Sequence, residues 1–128
     1  MHIHEYQAKG LFRQFNIKTP KAVLINTTTE ANKACTDLGG DIWVVKAQVH
    51  AGGRGKGGGV ILCRSIEEVE KACNSLFGAK LITPQTDAKG LPINQLLIEG
   101  GQNIERELYL GLLVDRQAQK ITILASTE

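Results

Sequence analysis

One lysine and a run of glycines carry the clearest potential chemistry of this sequence. Lys46 follows a short, apolar, β-branched run, and six glycines then lie within the eight residues 52–59. Glycines leave backbone N–H groups unshielded and permit positive φ, and successive N–H groups so arranged form a concavity that binds anions. Arg54 and Lys56 add two positive charges to the same segment. The pattern predicts a loop that lies over phosphate groups, with Lys46 directed at the same ligand.

Two common phosphate-binding patterns do not fit this loop. A P-loop requires Ser or Thr after its lysine and a glycine six positions before it, but Lys56 is followed by glycine and His50 occupies the earlier position. A G-x-G-x-x-G pattern does occur over residues 53–58. That pattern should open a helix, whereas the apolar run 60–63 predicts a strand. The dinucleotide-binding interpretation is therefore rejected.

The glycine pattern of protein kinases also matches, through Val60, and it does require two strands joined by a loop. Kinases, however, place their lysine on the strand after the loop and carry H-R-D and D-F-G triplets further on. Here Lys46 precedes the loop and neither triplet occurs. The remaining interpretation is a glycine-rich hairpin over phosphates, with the lysine on its first strand. A linker without a ligand is the alternative, but linkers are polar and seldom separate two apolar strands.

Several segments, in order along the chain, resemble the β subunit of succinyl-CoA synthetase. They are residues 4–12, 44–56, 85–87, 107–111, 114–116 and 125–128. Members of this family are ATP-grasp ligases, in which the nucleotide lies between two lobes. The resemblance covers the whole chain, but the chain matches only the N-terminal part of such a subunit.

The resemblance implies a set of nucleotide-binding positions. They are Lys46, Gly53, Arg54, Gly55, Glu99, Gln102 and Glu107. The lysine and the loop match positions around the phosphates, Glu99 and Gln102 match the hinge that holds the base, and Glu107 matches the ribose-binding carboxylate. These residue types suit their roles, because a lysine neutralises phosphate charge and a carboxylate accepts two hydrogen bonds from ribose hydroxyls. Without the resemblance, Glu99 and Glu107 would be interpreted as surface or salt-bridged glutamates.

The implied function is nucleotide binding in a succinate–CoA ligase. That enzyme reversibly joins succinate and CoA, cleaves a nucleoside triphosphate with Mg²⁺, and passes phosphate through a histidine of its α subunit. We expect the magnesium ligands and the contacts to CoA and the α subunit to lie beyond residue 128, so this part alone should be inactive. The alternatives are a malate–CoA ligase β subunit and a stand-alone nucleotide-binding module. Pro20 offers no N–H or polar side chain to guanine, which favours ATP, although GTP stays possible.

The histidines are assigned no catalytic role. The phosphohistidine implied by the resemblance belongs to the α subunit, so His50 and the neighbouring Gln48 are expected to shape the loop or to accept hydrogen bonds. His2 and His4 lack a third ligand and make a poor metal site.

Composition is that of a globular cytosolic enzyme. The 128 residues are 42% hydrophobic and 22% charged, and the net charge of +2 is too small to indicate a nucleic-acid partner. No apolar run is long enough to span a bilayer. Cys35, Cys63 and Cys73 lack C-x-x-C spacing and predict reduced thiols rather than disulfides. With no targeting segment evident, we expect a cytoplasmic bacterial protein, or a matrix protein whose leader was removed.

The alternation of helices and strands predicts an α/β fold of the α+β type. We expect an N-terminal ATP-grasp lobe with a mixed or antiparallel sheet and flanking helices, truncated before the second lobe is complete. A nucleotide-binding subdomain is expected over 20–102, with 1–19 and 103–128 belonging to the second lobe. A helix with one apolar side is predicted over 4–16, and capping patterns at 27–30 and 65–68 predict the starts of two more helices, which end at 39–40 and at 78. Strands are predicted over 22–25, over the run from 43 that carries Lys46, and over 60–63, 93–99, 105–114 and 121–125, with a loop over 84–92. The last residues, Ser-Thr-Glu, are typical of a cut chain.

Overall fold

A computed structural model describes residues 3–127, which form three α-helices, a 3₁₀ turn and eight strands. The helices are α1 (Glu5–Gln14), α2 (Ala31–Leu38) and α3 (Ile66–Leu76), and the 3₁₀ turn is Thr28–Glu30. The strands are β1 (Ala22–Ile25), β2 (Trp43–Ala47), β3 (Val60–Cys63), β4 (Lys80–Leu81), β5 (Leu91–Pro92), β6 (Leu96–Gly100), β7 (Tyr109–Asp115) and β8 (Lys120–Ser126). The α+β class is confirmed, and every strand pair in the described residues is antiparallel.

The central sheet has the strand order β1-β6-β2-β3. β2 and β3 form the predicted hairpin around the glycine loop, and Lys46 pairs with Val60 on one side and with Leu97 on the other. Because side chains alternate along a strand, β2 buries Trp43, Val45 and Ala47 on one face and places Lys46 on the opposite face. The sheet thus separates an apolar face from the face that carries the lysine.

The hydrophobic core lies between the apolar face of the sheet and helices α2 and α3. Its largest fully buried side chains include Val45 and Ile98 from the sheet and Val69 and Cys73 from α3. Burying each large aliphatic side chain contributes about 1.5–3 kcal/mol. This packing gives β2 and β6 a rigid support, and it leaves their opposite faces available for polar groups.

The predicted start of α3 is confirmed, whereas α2 begins differently. The hydroxyl of Ser65 accepts a hydrogen bond from the Glu68 N–H at 3.2 Å, as an N-cap residue does. Before α2, the Thr27 hydroxyl instead donates to the Glu30 carboxylate at 2.8 Å, and a 3₁₀ turn precedes the helix. These two side chains bond to each other, and neither caps the helix. The capping predicted from the sequence is therefore wrong for α2.

The first helix does not bury the apolar side that its sequence predicts. Leu11 and Phe12 are 47% and 48% exposed and Phe15 is 76% exposed, and none of the residues of α1 is fully buried. The helix instead turns Glu5 and Lys9 toward the sheet, where both form ion pairs. These ion pairs hold the helix against the polar face of the sheet.

Two predicted strands begin later than expected, and one small ladder was missed. Ile93 bonds through its N–H to the carbonyl of Ala79 at 2.9 Å, so β6 starts only at Leu96. β7 starts at Tyr109, which pairs with Ser126 at the end of β8, so residues 105–108 have no partner strand in the described part of the chain. The segment 84–92 is not wholly a loop, because β5 pairs with β4.

Strands β7 and β8 form a separate hairpin whose apolar side chains are largely exposed on both faces. Leu110, Leu112 and Val114 are 64% to 72% exposed on one face, and Tyr109 and Leu113 are 60% and 45% exposed on the other. Among residues 3–127, no helix is both long and apolar enough to cross a membrane. The predicted boundaries of the two lobes stay a prediction.

Candidate functional site

The glycine loop between β2 and β3 is folded onto itself. The N–H groups of Gly57 and Gly59 donate to the carbonyls of Gly53 at 3.1 Å and Arg54 at 2.8 Å, and that of Gly58 donates to Gly55 at 3.2 Å. Gly53 has φ +71° and Gly58 has φ +78°, which favour glycine over other residues. The loop is therefore a compact turn rather than a flexible linker.

Residues 81–85 pack against the glycine loop. The Gln85 side chain accepts a hydrogen bond from the Gly52 N–H at 2.7 Å. A Cβ atom at Gly57 would lie 2.4 Å from the carbonyl oxygen of Ile82, and one at Gly59 would lie 2.7 Å from the Leu81 side chain. The absence of side chains lets the loop approach this segment closely, and the contact fixes the position of the loop.

The backbone N–H groups of residues 53–56 stay available for a ligand. Within residues 3–127 they donate to no protein atom, whereas the N–H groups of 52 and 57–59 are all engaged. Four successive uncommitted donors on a turn, with positive φ at its first residue, fit an anion. Gly53, Arg54 and Gly55, which the sequence assigns to the phosphates, all belong to this group.

Five charged side chains form one cluster on the polar face of the sheet. The Lys46 ammonium lies 2.6 Å from the carboxylate of Glu99 and 3.4 Å from that of Glu5. The Arg54 guanidinium donates to Glu5 at 2.6 Å, and Lys9 contacts both Glu5 and Glu99. Three cations face two carboxylates, so the cluster keeps one positive charge in excess. The tertiary structure thus brings Lys46, Arg54 and Glu99 together, although the sequence assigned Glu99 to the hinge that holds the base rather than to the phosphates.

These side chains are between 8% and 20% exposed, so the cluster is largely shielded from water. Burial alone would raise the pKa of Glu5, but hydrogen bonds from Lys9 and Arg54 and the charges of Lys46 and Arg54 outweigh it and lower the pKa to about 2. Burial likewise acts to lower the pKa of Lys9, and its hydrogen bonds to Glu5 and Glu99 raise it instead. Both groups are held in their charged forms at neutral pH.

Three residues of this site were not singled out from the sequence. Glu5 and Lys9 are spaced i, i+4 on α1, which is a signal for an ion pair but not for contact with a strand. Gln85 supports the loop from more than thirty positions further along the chain. The expectation for Gln48 is confirmed, because its buried amide accepts from the Tyr6 N–H at 3.2 Å and donates to the Lys46 carbonyl at 3.1 Å.

The end of β6 leads into a groove at the opposite end of the sheet. The N–H groups of Gly100 and Gly101 donate to the carbonyls of Lys21 at 3.1 Å and Ile42 at 2.8 Å, which anchors the chain where it leaves the sheet. The groove has a volume of about 850 Å³ and is lined mainly by residues 19–21, 39–42 and 100–103. Pro20 and Gln102 both lie on its wall.

The sequence matches the ATP-grasp domain over residues 2–128. The chain belongs to the ATP-grasp family. It is 71% identical, over all 128 of its residues, to 33% of the "Succinate--CoA ligase [ADP-forming] subunit beta" of Ruthia magnifica subsp. Calyptogena magnifica. It is 52% identical over 126 residues to the subunit of that name from Alkalilimnicola ehrlichii, and 50% identical over 128 residues to that of Coxiella burnetii. These matches include 98% to 100% of the chain, and the chain spans about a third of the length of each relative.

The ATP-grasp site predicted from the sequence is only partly assembled around the charged cluster. Glu107 was expected within a strand, but it lies before β7 in the segment that has no partner strand, and its side chain is exposed. Glu105 is exposed in the same segment. Within residues 3–127, neither carboxylate forms a hydrogen bond or an ion pair, so the ribose-binding role of Glu107 stays a prediction.

The remaining polar groups of this ATP-grasp chain contribute little to the site. His50 stacks on His4, with ring centroids 3.9 Å apart, and burial followed by the charges of His50 and Arg54 lowers the pKa of His4. His2 lies outside the described residues. In the described range, no group of three or more His, Cys, Asp or Glu side chains could hold a metal ion.

All three cysteines are buried and unpaired. Burial, together with weaker repulsion from neighbouring negative groups, raises the pKa of Cys35 to about 11 and that of Cys73 to about 12. Because the thiolate is the reactive form, these cysteines are poor nucleophiles and serve as core residues.

Proposed function

We propose that this chain forms the nucleotide-binding N-terminal part of the β subunit of an ADP-forming succinate–CoA ligase. The observation that carries the proposal is the row of uncommitted N–H groups at residues 53–56 beside Lys46 and Arg54. The names of the relatives support the reaction, which joins succinate and CoA while ATP is cleaved to ADP and phosphate. The α subunit of that enzyme is the expected partner.

The nucleotide would extend along the polar face of the sheet. The glycine loop follows one end of β2, and the groove with Pro20 and Gln102 opens at the other. From Trp43 to Ala47 the strand spans roughly 13 Å at about 3.3 Å per residue, which is the length scale of a nucleoside triphosphate. We assign the phosphates to the loop and the base to the groove, with the ribose between them toward Glu107.

The residues present fit a polyanion better than a neutral ligand. Lys46 and Arg54 supply positive charge, the loop supplies N–H donors, and the low exposure of the cluster strengthens these interactions relative to water. Fixed donors of this kind lower the barrier to phosphoryl transfer when they face the oxygens on which charge develops. Mg²⁺ would neutralise further phosphate charge, and we expect its protein ligands beyond residue 128.

The alternatives from the sequence are less well supported. The relatives described above are named for succinate and for ADP formation, which favours succinate over malate and ATP over GTP. The position of Pro20 on the groove wall also favours ATP, because proline presents no donor to a guanine carbonyl. A stand-alone module is disfavoured because these relatives are about three times as long as the chain.

We further propose that the enzyme works in the bacterial cytoplasm. The relatives described above come from bacteria. Three buried cysteines without a disulfide fit the reducing conditions of that compartment.

Substitution of Lys46 tests the proposed site. In the complete β subunit assembled with its α subunit, Lys46→Ala should weaken Mg-ATP binding by about 1.5–3 kcal/mol, which is the contribution of a hydrogen bond to a charged group. Titration calorimetry measures the affinity, and a ligase assay with succinate and with malate measures the activity. Lys71→Ala, which removes an exposed lysine of α3, is the matched control. Unchanged affinity and rate in the Lys46 variant would remove this residue from the site.

A further inference from the structure

Glu5 has an unusual position for a residue outside the predicted nucleotide-binding subdomain. One of its carboxylate oxygens lies 2.6 Å from Arg54, and the other lies 2.8 Å from Lys9 and 3.4 Å from Lys46. A single carboxylate thus contacts both cations that the proposed function assigns to the phosphates. The residue is carried by the first turn of α1, more than forty positions before Lys46 along the chain.

A phosphate oxygen would require the same donors that Glu5 now occupies. A carboxylate is planar and a phosphate is tetrahedral, but both are oxyanions. Both accept hydrogen bonds from guanidinium and ammonium groups in similar geometry. Arg54 cannot easily turn to a second ligand, because its other nitrogen donates to the carbonyl of Ala47 at 2.7 Å. Lys46 is likewise held by Glu99 at 2.6 Å. The two cations are therefore fixed in place, and each of them also contacts Glu5.

We propose that Glu5 is a further residue of the nucleotide site, an internal anion that occupies the position of a phosphate on Lys46 and Arg54 until the nucleotide displaces it. This inference rests on the proposed function. Glu5 and a phosphate group repel each other when they share these cations, so bound nucleotide and the Glu5 contact exclude one another. Glu5 consequently lowers the affinity for nucleotide while it offsets part of the positive charge of the empty site.

The displacement has a consequence for α1. Lys9 contacts Glu5 and Glu99 together, so it still ties the helix to β6 when Glu5 has lost its contact to Arg54. The first turn also stays attached, because the Tyr6 N–H donates to the Gln48 side chain at 3.2 Å, so only the Glu5 side chain moves when nucleotide binds. The exposed side chains Leu11 and Phe12 lie on the part of α1 that keeps its position.

The matched pair Glu5→Gln and Glu5→Asp tests the displacement in the complete β subunit with its partner. Glu5→Gln keeps the shape of the side chain and removes its charge, and Glu5→Asp keeps the charge but withdraws the carboxylate by one methylene. Both variants should bind Mg-ATP roughly twofold to tenfold more tightly in titration calorimetry, because one competing hydrogen-bonded contact is removed. The apparent KM for ATP should fall by the same factor.

Thermal denaturation provides the second measurement and the control. Without nucleotide both variants should unfold at lower temperature than the unaltered protein, and the temperature gain on adding Mg-ATP should be larger. Glu70→Gln removes one exposed carboxylate of α3 and should change neither quantity. Because Glu5→Asp leaves the net charge unchanged, tighter binding in that variant cannot come from long-range attraction.

Weaker or unchanged nucleotide binding in both Glu5 variants would overturn the inference, and weaker binding would show that Glu5 positions the two cations instead. Failure of the proposed function is recognised separately, because Lys46→Ala would then leave nucleotide binding unaltered. If Glu5→Gln does not fold, the result for Glu5→Asp decides.

Discussion

A methyl group at Gly57 should distinguish glycines that hold the loop in place from glycines that face a ligand. The Cβ atom of Gly57→Ala would lie 2.4 Å from the carbonyl oxygen of Ile82 and 3.2 Å from the methyl group of Thr83. A backbone oxygen cannot rotate away as a side chain can. The loop must therefore move by about 1 Å to restore ordinary contact, since well-packed atoms lie about 3.5 Å apart.

The structure indicates the size of the effect. Overpacking of a close contact costs about 1–3 kcal/mol. The N–H of Gly57 donates to the carbonyl of Gly53 at 3.1 Å, so a displacement at position 57 is passed to the first residue of the anion-binding turn. Gly57→Ala should consequently lower both the free energy of unfolding and the affinity for Mg-ATP.

Gly55→Ala is the matched variant in the same loop. A Cβ atom at Gly55 would meet no atom within 4 Å, and its φ is not in the left-handed region. Stability should therefore change by less than about 0.5 kcal/mol, as for an unconstrained surface position. The added methyl group nevertheless lies beside the free N–H groups, so nucleotide binding should weaken without a loss of stability.

Urea unfolding of the nucleotide-free protein measures the first quantity, and titration calorimetry with Mg-ATP measures the second. The expected pattern is a loss of stability and affinity for Gly57→Ala, and a loss of affinity alone for Gly55→Ala. Equal stability losses in both variants, or full stability of Gly57→Ala, would refute the assignment of the two glycines to different roles.

Three further predictions concern the proposed ribose contact, acid stability and the 128-residue chain by itself. Glu107→Gln should raise the apparent KM for nucleotide several-fold in the complete enzyme, and Glu105→Gln should raise it much less, because exposed carboxylates contribute little; equal impairment would reject the residue assignment. The pKa of Glu5 falls from its ordinary 4.5 to about 2 in the folded protein. Ionised Glu5 therefore stabilises the fold by up to about 3 kcal/mol above pH 4.5, and this stabilisation is lost as the pH falls toward 2. Glu5→Gln should make the urea midpoint depend less on pH across that range, and an unchanged pH dependence would contradict the ion-pair assignment. The isolated 128-residue chain should bind Mg-ATP only with millimolar affinity, about −4 kcal/mol, in calorimetry, because we expect the magnesium ligands to lie outside it, and micromolar binding would contradict that expectation.

Short-range patterns in the sequence determined the local elements of the glycine-loop region. The β-branched run before Lys46 and the apolar run from Val60 predicted the hairpin that the structure contains. Ser65 and Glu68, three residues apart, predicted the start of α3 because an N-cap bond depends only on neighbouring backbone. The glycine loop over residues 52–59 was likewise predicted to bind an anion from residue type and spacing, and within the described residues the N–H groups of 53–56 are uncommitted.

Only the tertiary structure decided which distant residues meet. Glu5 reaches Arg54 across forty-nine positions and Lys46 reaches Glu99 across fifty-three, and no local pattern encodes a contact at such separations. The same holds for the position of α1, because the ion pairs of Glu5 and Lys9 with Arg54 and Glu99 are long-range contacts. Residues 105–108 alternate as a strand does but have no partner strand within residues 3–127, and alternation alone does not supply the neighbour that stabilises a strand. Local chemistry therefore specified the turn that can hold an anion, and long-range packing decided which charges surround it.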